Sequence, residues 1–228
     1  MAPDQLVDAI VMAAGEGRRL RPITERWPKP VLPIDWRPVV VTLLHELAEA
    51  GCERAWVITG HLAEQVEELV AGCEPRLEIQ FVRQPEPLGS ADAVSRALEA
   101  GARPQSVVSA ADTVYGPGDV ARVARSAQAS IAWRRAPRGT ALELEDGRVR
   151  RVVGEGEHFA APLWVMSSEV AEHLVGLPGP PFELATAFQR AIDAGTTVLG
   201  VEIGPTRDLT EPADLVRHNF LYLGKSDD

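Results

Sequence analysis

The chain has 228 residues, 45% of them hydrophobic and 25% charged, the balance of a soluble globular protein with one sizeable core. Aspartate and glutamate number 33 against 23 lysines and arginines, a formal charge of -10; so acidic a chain has no general attraction for nucleic acid or anionic lipid, which argues against polynucleotide binding. No stretch approaches the roughly 18 to 20 apolar residues of a membrane helix. At the start, MAPDQLVDAIVMAAGEG lacks the basic region and long apolar run of a leader, so a cytoplasmic location without a membrane partner is expected. Residues 9–13 (AIVMA), 55–59 (AWVIT), 77–82 (LEIQFV) and 106–110 (SVVSA) are short apolar runs rich in β-branched residues, the pattern of strands buried on both faces. Between them, apolar residues recur at helical spacing before Gly51, Gly72 and Gly101, and each glycine is placed to cap its helix. Strand alternating with helix implies a mostly parallel, Rossmann-like sheet with helices on both faces and right-handed crossovers.

Between the first strand and the first helix lies the segment Ala13-Ala14-Gly15-Glu16-Gly17-Arg18-Arg19-Leu20-Arg21-Pro22, followed by Trp27-Pro28-Lys29-Pro30. Ligands of a parallel sheet bind beyond the carboxyl ends of its strands, where a glycine-rich turn brings backbone N–H groups up to phosphate. The third glycine of a dinucleotide fingerprint would fall at Leu20, and no GK[ST] follows, so neither the dinucleotide motif nor a Walker loop is present. Prolines at 22, 28, 30 and 33 postpone any regular helix to about Val39. Lysine occurs only at 29 and 225, against 21 arginines; Lys29, held between two prolines, is a compact point charge suited to phosphate. Cys52 and Cys73 belong to no CxxC or Cys/His cluster and read as buried spectator thiols.

Past residue 130 the pattern becomes antiparallel. Strands are predicted over 131–135, 140–144 and 148–153, the last two joined at the turn Glu145-Asp146-Gly147 as a hairpin. A strand over 163–166, helices over 168–174 and 182–194, a strand over 198–203 and a helix from about Glu211 complete the chain. The expected organisation is one domain over 1–228, a nucleotide-binding half (1–130) followed by an acceptor-binding half (131–228).

AAGEGRRLRPITERWPKPVLPI resembles the signature LAAGxGTRLxPxTxxxPKP of the sugar-1-phosphate nucleotidyltransferases, with Arg18 where that family usually has Thr or Ser. The resemblance implies that Gly15, Gly17, Arg18 and Arg19 hold a triphosphate, that Lys29 touches phosphate at the reacting centre, and that backbone groups of Ala13 and Ala14 meet the base. Gln84-Pro85-Glu86-Pro87-Leu88-Gly89-Ser90-Ala91-Asp92-Ala93 is similar to the family's Q-x-x-x-LGTADA, which gives Gln84 and Gly89 base recognition and places Ser90 beside them; read alone, Ser90 is a helix N-cap. An amide both donates and accepts, matching uracil or thymine and favouring UTP or dTTP, while Glu86 would suit the donor edge of guanine.

Asp112, after SVVSAA, falls where the family has a metal-binding aspartate, and Asp208 in DLTEPADL falls on the first aspartate of its D-x-x-T-P-E-D-L; Asp214, further along, reads as structural. Hard oxygen ligands suit Mg²⁺. Gly139 matches a glycine of the acceptor subsite. The family's V-E-K-P is Val153-Gly154-Glu155-Gly156 here, without lysine, leaving Glu155 as the displaced sugar-binding glutamate or a turn residue, and a-G-i-Y is Ala161-Pro162-Leu163-Trp164. Trp164 is therefore expected in the acceptor pocket or in the core beneath it. The reaction implied joins an NTP to a sugar 1-phosphate and releases pyrophosphate, with Arg19, Lys29 and Asp112 at its centre. Cytidylyl or guanylyl transfer to another phosphorylated molecule, a glycosyltransferase, and a binding-only relative are the alternatives.

Overall fold

In the computed structural model, which describes residues 8–73, 75–136, 139–153 and 156–220, the first apolar run forms β1 (Asp8–Ala13), buried at every residue but Met12. The proline-rich loop proceeds through three single 3-10 turns and the two-residue ribbon strands β2 (Pro33–Ile34) and β3 (Arg37–Pro38). A regular helix begins only at α1 (Val39–Glu49), as the missing amide donors of the prolines require. Then β4 (Arg54–Thr59), α2 (Ala63–Gly72), β5 (Glu78–Arg83), α3 (Ser90–Glu99) and β6 (Ser106–Ala110) alternate along the chain. The antiparallel half contains β7 (Thr113–Val114), α4 (Asp119–Ala124), β8 (Ser130–Arg134), β9 (Ala141–Glu145), β10 (Arg148–Val153) and β11 (His158–Met166). It closes with α5 (Ser168–Ala171), α6 (Leu184–Asp193), β12 (Leu199–Glu202), β13 (Arg207–Asp208) and α7 (Pro212–Asn219).

Nine strands make one sheet in the order β5-β4-β1-β6-β11-β8-β12-β10-β9, a mixed α/β sheet flanked by helices that runs through both halves of the chain. β4, β5 and β6 run parallel to β1; β11 is antiparallel to β6 and to β8, and β12 is parallel to β8. The period of two along each strand divides the core. Ala9, Val11, Ala55, Val57 and Val107 face α1, α2 and α4, while Ile10, Ile58, Val108, Ile131 and Met166 face α3, α5 and α6.

Three local expectations are corrected. Gly72 is the last residue of α2 and the cap is Cys73 at φ -89°, so no left-handed residue is needed there, whereas Gly51 and Gly101 do take positive φ. LEIQFV is not buried on both faces: β5 is the outermost strand, alternating between exposed and half-buried residues. Ser90 is the first residue of α3 rather than its cap, which is Gly89. Its hydroxyl accepts the amide of Leu184, at the start of α6, and donates to Glu183, so it joins two helix starts. The expected hairpin forms, with Asp146 and Gly147 at φ 51° and 73°, the left-handed pair a tight two-strand turn demands. Cys52 is buried, with its thiol pushed up to about 12 by burial and the nearby Asp8, and Cys73 is half-buried.

Candidate active site

The chain leaves β1 toward β4 on one side and returns on the other as β6, so connections diverge between β1 and β6 and a crevice opens at their carboxyl ends. The loop after β1 enters that crevice. Gly17 sits at φ 62° with Thr24 so close that a Cβ would lie 2.8 Å from its methyl, and Thr24 Oγ1 donates to Gly17 O at 2.9 Å. Gly15 has nothing within 4 Å of its Cβ position, leaving that side of the turn clear for a ligand. The loop is also tied to the second crossover: a ring nitrogen of His61 lies 2.6 Å from Thr24 O, and its amide donates to Ala14 O at 3.3 Å. Gly60 allows the approach, since a Cβ there would lie 2.8 Å from Gln84 O and 2.9 Å from Ala14. Neither His61 nor Gly60 is singled out by sequence pattern, because their role depends on a contact across strands.

Three cavities join along this edge. The first, about 290 Å³ and mostly apolar, is lined by Ala13, Ala14, Gly15, Gln84, Gly89 and Ser90, and also by Lys29 and Asp112. The second, about 260 Å³, is lined by Gly15, Gly17, Arg18, Arg19, Lys29 and Asp112. Lys29 and Asp112 belong to both and form an ion pair there, with the Lys29 side chain only 13% exposed. The third, about 670 Å³, shares Arg19 with the second and adds Gly139 and Asp208.

In the first cavity the orientation of Gln84 is settled by its neighbours. The buried side chain donates from Nε2 to Gly89 O at 3.0 Å and to Asp92 Oδ2 at 2.8 Å. Both partners accept only, so the nitrogen must face them, and the carbonyl oxygen has no partner among the described residues. The amide therefore presents an acceptor, not the donor and acceptor pair that its residue type suggests. Gly89 holds φ 113°, and a Cβ would lie 2.4 Å from Phe182 O; no other residue fits between α3 and the segment before α6. Glu86 is exposed and outside the lining of this cavity.

Arg18 is mostly exposed, its Nε donating to Glu16 at 2.8 Å, and its hydrogen bond holds the Glu16 carboxyl below the usual range. Arg19 makes no hydrogen bond or ion pair with the described residues.

A short ribbon links the segments that carry the two carboxylates. Asp112 follows β6 and accepts from Lys29 and, at 3.1 Å, from Thr113 Oγ1. β7 pairs antiparallel with β13, which sets Asp208 opposite Thr113, and Asp208 Oδ2 accepts from Thr210 Oγ1 at 2.7 Å. Among the described residues no cluster of three or more His, Cys, Asp or Glu has the arrangement of a metal cage. Asp112 lines the first two cavities and Asp208 the third, both partly exposed; carboxylates so placed would suit an ion such as Mg²⁺, which takes its remaining ligands from water and phosphate. Asp214 is structural, as the sequence suggests: buried, it accepts the amides of Thr210 and Glu211 at 2.8 and 2.9 Å in the capping box of α7. Burial opposes its ionisation, but those amides and Arg217 hold it below the usual range.

Of the acceptor residues, Gly139 lines the third cavity at φ 142°, beside Phe159. Glu155 lies outside the described residues. Trp164 is half-buried on β11, packed on the face that carries Ile131 and Val108, and lines none of the three cavities. Pro162 is held through its carbonyl by Tyr115 Oη at 2.8 Å. The sequence reading passed over Arg134 and Arg135, which leave β8 at its carboxyl end and line the third cavity; two consecutive arginines after an apolar strand were the signal.

Comparison with known proteins agrees with this geometry. Residues 130 long in this chain are 35% identical to the CMP-5'-(3-aminopropyl)phosphonate synthase of Streptomyces rubellomurinus, covering 56% of this chain and 21% of that protein. The matched stretches amount to about a fifth to a quarter of the length of such curated relatives. The fold is shared with the UDP-glucose pyrophosphorylase of Acinetobacter baumanii (TM-score 0.80, 18% identity, 93% of this chain and 92% of that one). It is shared equally with the inositol-1-phosphate CTP transferase of T. maritima (TM-score 0.80, 20% identity, 92% and 91%). Residues 8–136, which carry the glycine loop, Lys29, Gln84 and Asp112, match the Nucleotidyl transferase family, and the chain is a member of that family.

Proposed function

We propose that the chain transfers a nucleotidyl group from a pyrimidine nucleoside triphosphate to a small acceptor bearing a phosphate or phosphonate, a sugar 1-phosphate or a related molecule, and releases pyrophosphate. The observation that carries this reading is the partly buried Lys29–Asp112 pair at the junction of an apolar, base-sized cavity and a glycine-loop cavity. Two polyanions have to approach there, and two unit charges 4 Å apart interact by about 4 kcal/mol at an effective dielectric of 20. Cations at the point of contact therefore matter more than acid or base groups.

In this reading Ala13, Ala14, Gln84, Gly89 and Ser90 bind the base and its ribose side, and Gly15, Gly17, Arg18 and Arg19 the triphosphate. Lys29 and Arg19 face the α-phosphate, where an acceptor oxygen attacks in line and pyrophosphate leaves. Asp112 and Asp208 would hold Mg²⁺, which when bound neutralises phosphate charge and aligns the leaving group. Gly139 borders the acceptor.

The free carbonyl of Gln84 suits a base that donates, as N3–H of uracil or thymine and the amino group of cytosine do, and as N1–H of guanine and the amino group of adenine also could. UTP and dTTP thus keep their place, CTP joins them on the strength of the Streptomyces relative's name, and Glu86 no longer speaks for GTP. The test is pyrophosphate release from UTP, dTTP, CTP, GTP and ATP, each with Mg²⁺ and a panel of sugar 1-phosphates and aminoalkylphosphonates. Turnover confined to pyrimidine nucleotides is expected; none with any pair, or a preference for GTP or ATP, overturns the reading.

A further inference from the structure

Five arginines, Arg19, Arg134, Arg135, Arg207 and Arg217, line the third cavity of a chain whose formal charge is -10. Two of them are already matched. Arg207 grips both oxygens of Asp35 at 2.7 and 2.5 Å, and Arg217 meets Asp214 at 2.5 Å. Arg134 is held by a neutral partner, its Nε donating to Thr206 Oγ1 at 2.7 Å. That contact aims the side chain without offsetting its charge. Arg135 is exposed and makes no hydrogen bond or ion pair with the described residues.

The topology explains where these two arginines lie, in a lining that also includes Asp208 and Glu211. β8 runs parallel to β6 because both are antiparallel to β11 between them, so Arg134 and Arg135 emerge at the same sheet edge as Asp112. The same cavity contains Asp208 and Thr210 and reaches Arg19 at the glycine loop. Meanwhile residues 153–156 supply no lysine. A planar guanidinium forks onto two oxygens of a PO₃ group, which a lone ammonium does not.

We propose that Arg134 and Arg135 form the binding site for the dianionic PO₃ group of the acceptor, whether phosphate ester or phosphonate, and set the acceptor's affinity. The assignment of this anion as the acceptor rests on the nucleotidyl transfer proposed above; the binding of the anion does not. Arg134 contributes a charge already oriented by Thr206, and Arg135 closes on the ligand from the solvent side.

The experiment separates the two. The full chain is titrated calorimetrically with methylphosphonate, glucose 1-phosphate and 2-aminoethylphosphonate, and separately with a non-hydrolysable CTP analogue and Mg²⁺. Arg135→Ala is the cleanest variant, since no hydrogen bond or ion pair with the described residues is lost; Arg134→Ala and Arg135→Lys accompany it, with circular dichroism to verify folding. Each alanine variant is expected to weaken methylphosphonate about tenfold or more while changing the nucleotide less than about twofold, and Arg135→Lys to recover part of the loss. The tighter of the two larger anions distinguishes phosphate ester from phosphonate. Unchanged anion affinity in both alanine variants, or equal weakening of anion and nucleotide, overturns the proposal. Arginine-dependent anion binding without pyrophosphate release from any pair supports the anion site and overturns the catalytic reading alone.

Discussion

Asp208 stands directly opposite Thr113, the neighbour of Asp112, in the two-residue antiparallel pairing of β7 with β13. This register brings two carboxylates far apart in the chain onto one ribbon, on which Asp112 already holds Lys29. Lys29→Ala and Asp208→Asn are each expected to lower kcat/KM by about 100-fold or more, roughly 2.7 kcal/mol of transition-state stabilisation, without loss of fold. Steady-state kinetics on folded variants decide the matter: wild-type turnover by either removes that residue from the reacting centre.

Gln84 makes a different prediction, because its amide nitrogen is spent on Gly89 and Asp92. Gln84→Ala removes the only acceptor it presents, while Asp92 keeps its bond from Arg96 Nε at 2.7 Å, so the fold should lose only about 1 kcal/mol. Relative rates with the five nucleoside triphosphates should converge. Identical ratios in the variant and the wild type would show that the base is read elsewhere.

Trp164 lies on the altered strand β11 but packs on the core outside the three cavities, so Trp164→Phe is expected to leave the KM for acceptor and for nucleotide within about twofold of wild type. Tryptophan fluorescence of the nucleotide-loaded protein, followed during acceptor titration, provides the check. A shift of about threefold or more in the acceptor KM alone would place Trp164 at the acceptor instead of the core against which it packs.

Away from the site, Glu46 on α1 has one buried carboxylate oxygen without a hydrogen bond, and its carboxyl is pushed up to about 7 by burial, with Glu49 and Asp119 adding to it. The folded protein thus holds a proton that the unfolded chain, near 4.5, releases. The advantage is fully present below about 4.5 and is lost as pH rises through about 7. Glu46→Gln should therefore raise the urea midpoint at pH 8 relative to wild type and lose that gain near pH 4.5. An equal shift at both pH values would refute the assignment.

Much of this was legible in the sequence, for identifiable reasons. Strands buried on both faces write themselves as β-branched runs, and the prolines at 22, 28, 30 and 33 placed the start of α1 at Val39. Lys29 and Asp112 could be singled out because each lies in a short motif at a strand's carboxyl end. What stayed hidden depends on partners distant in sequence. Ser90 has the chemistry of a cap, yet it binds the start of α6, 94 residues on. The donor half of Gln84 is consumed by Asp92, which only the fold reveals. β5 has the composition of a buried strand, but edge position is a property of sheet order. Arg134 and Arg135 look like ordinary solvated charges until the parallel course of β8 and β6 sets them at the same sheet edge as Asp112.

The β7–β13 pairing also sets an order on biosynthesis. Ribosomes deliver Asp112 early and Asp208 ninety-six residues later, so a growing chain acquires the glycine loop, Lys29 and the base cavity well before the second carboxylate exists. In the proposed reaction, a nascent chain stalled ahead of Arg207 would have the means to hold a nucleotide but lack a partner for Asp112 in holding Mg²⁺. On that proposal the residues that bind are translated before the last residue that reacts, and a ribbon only two residues long on each side joins the two.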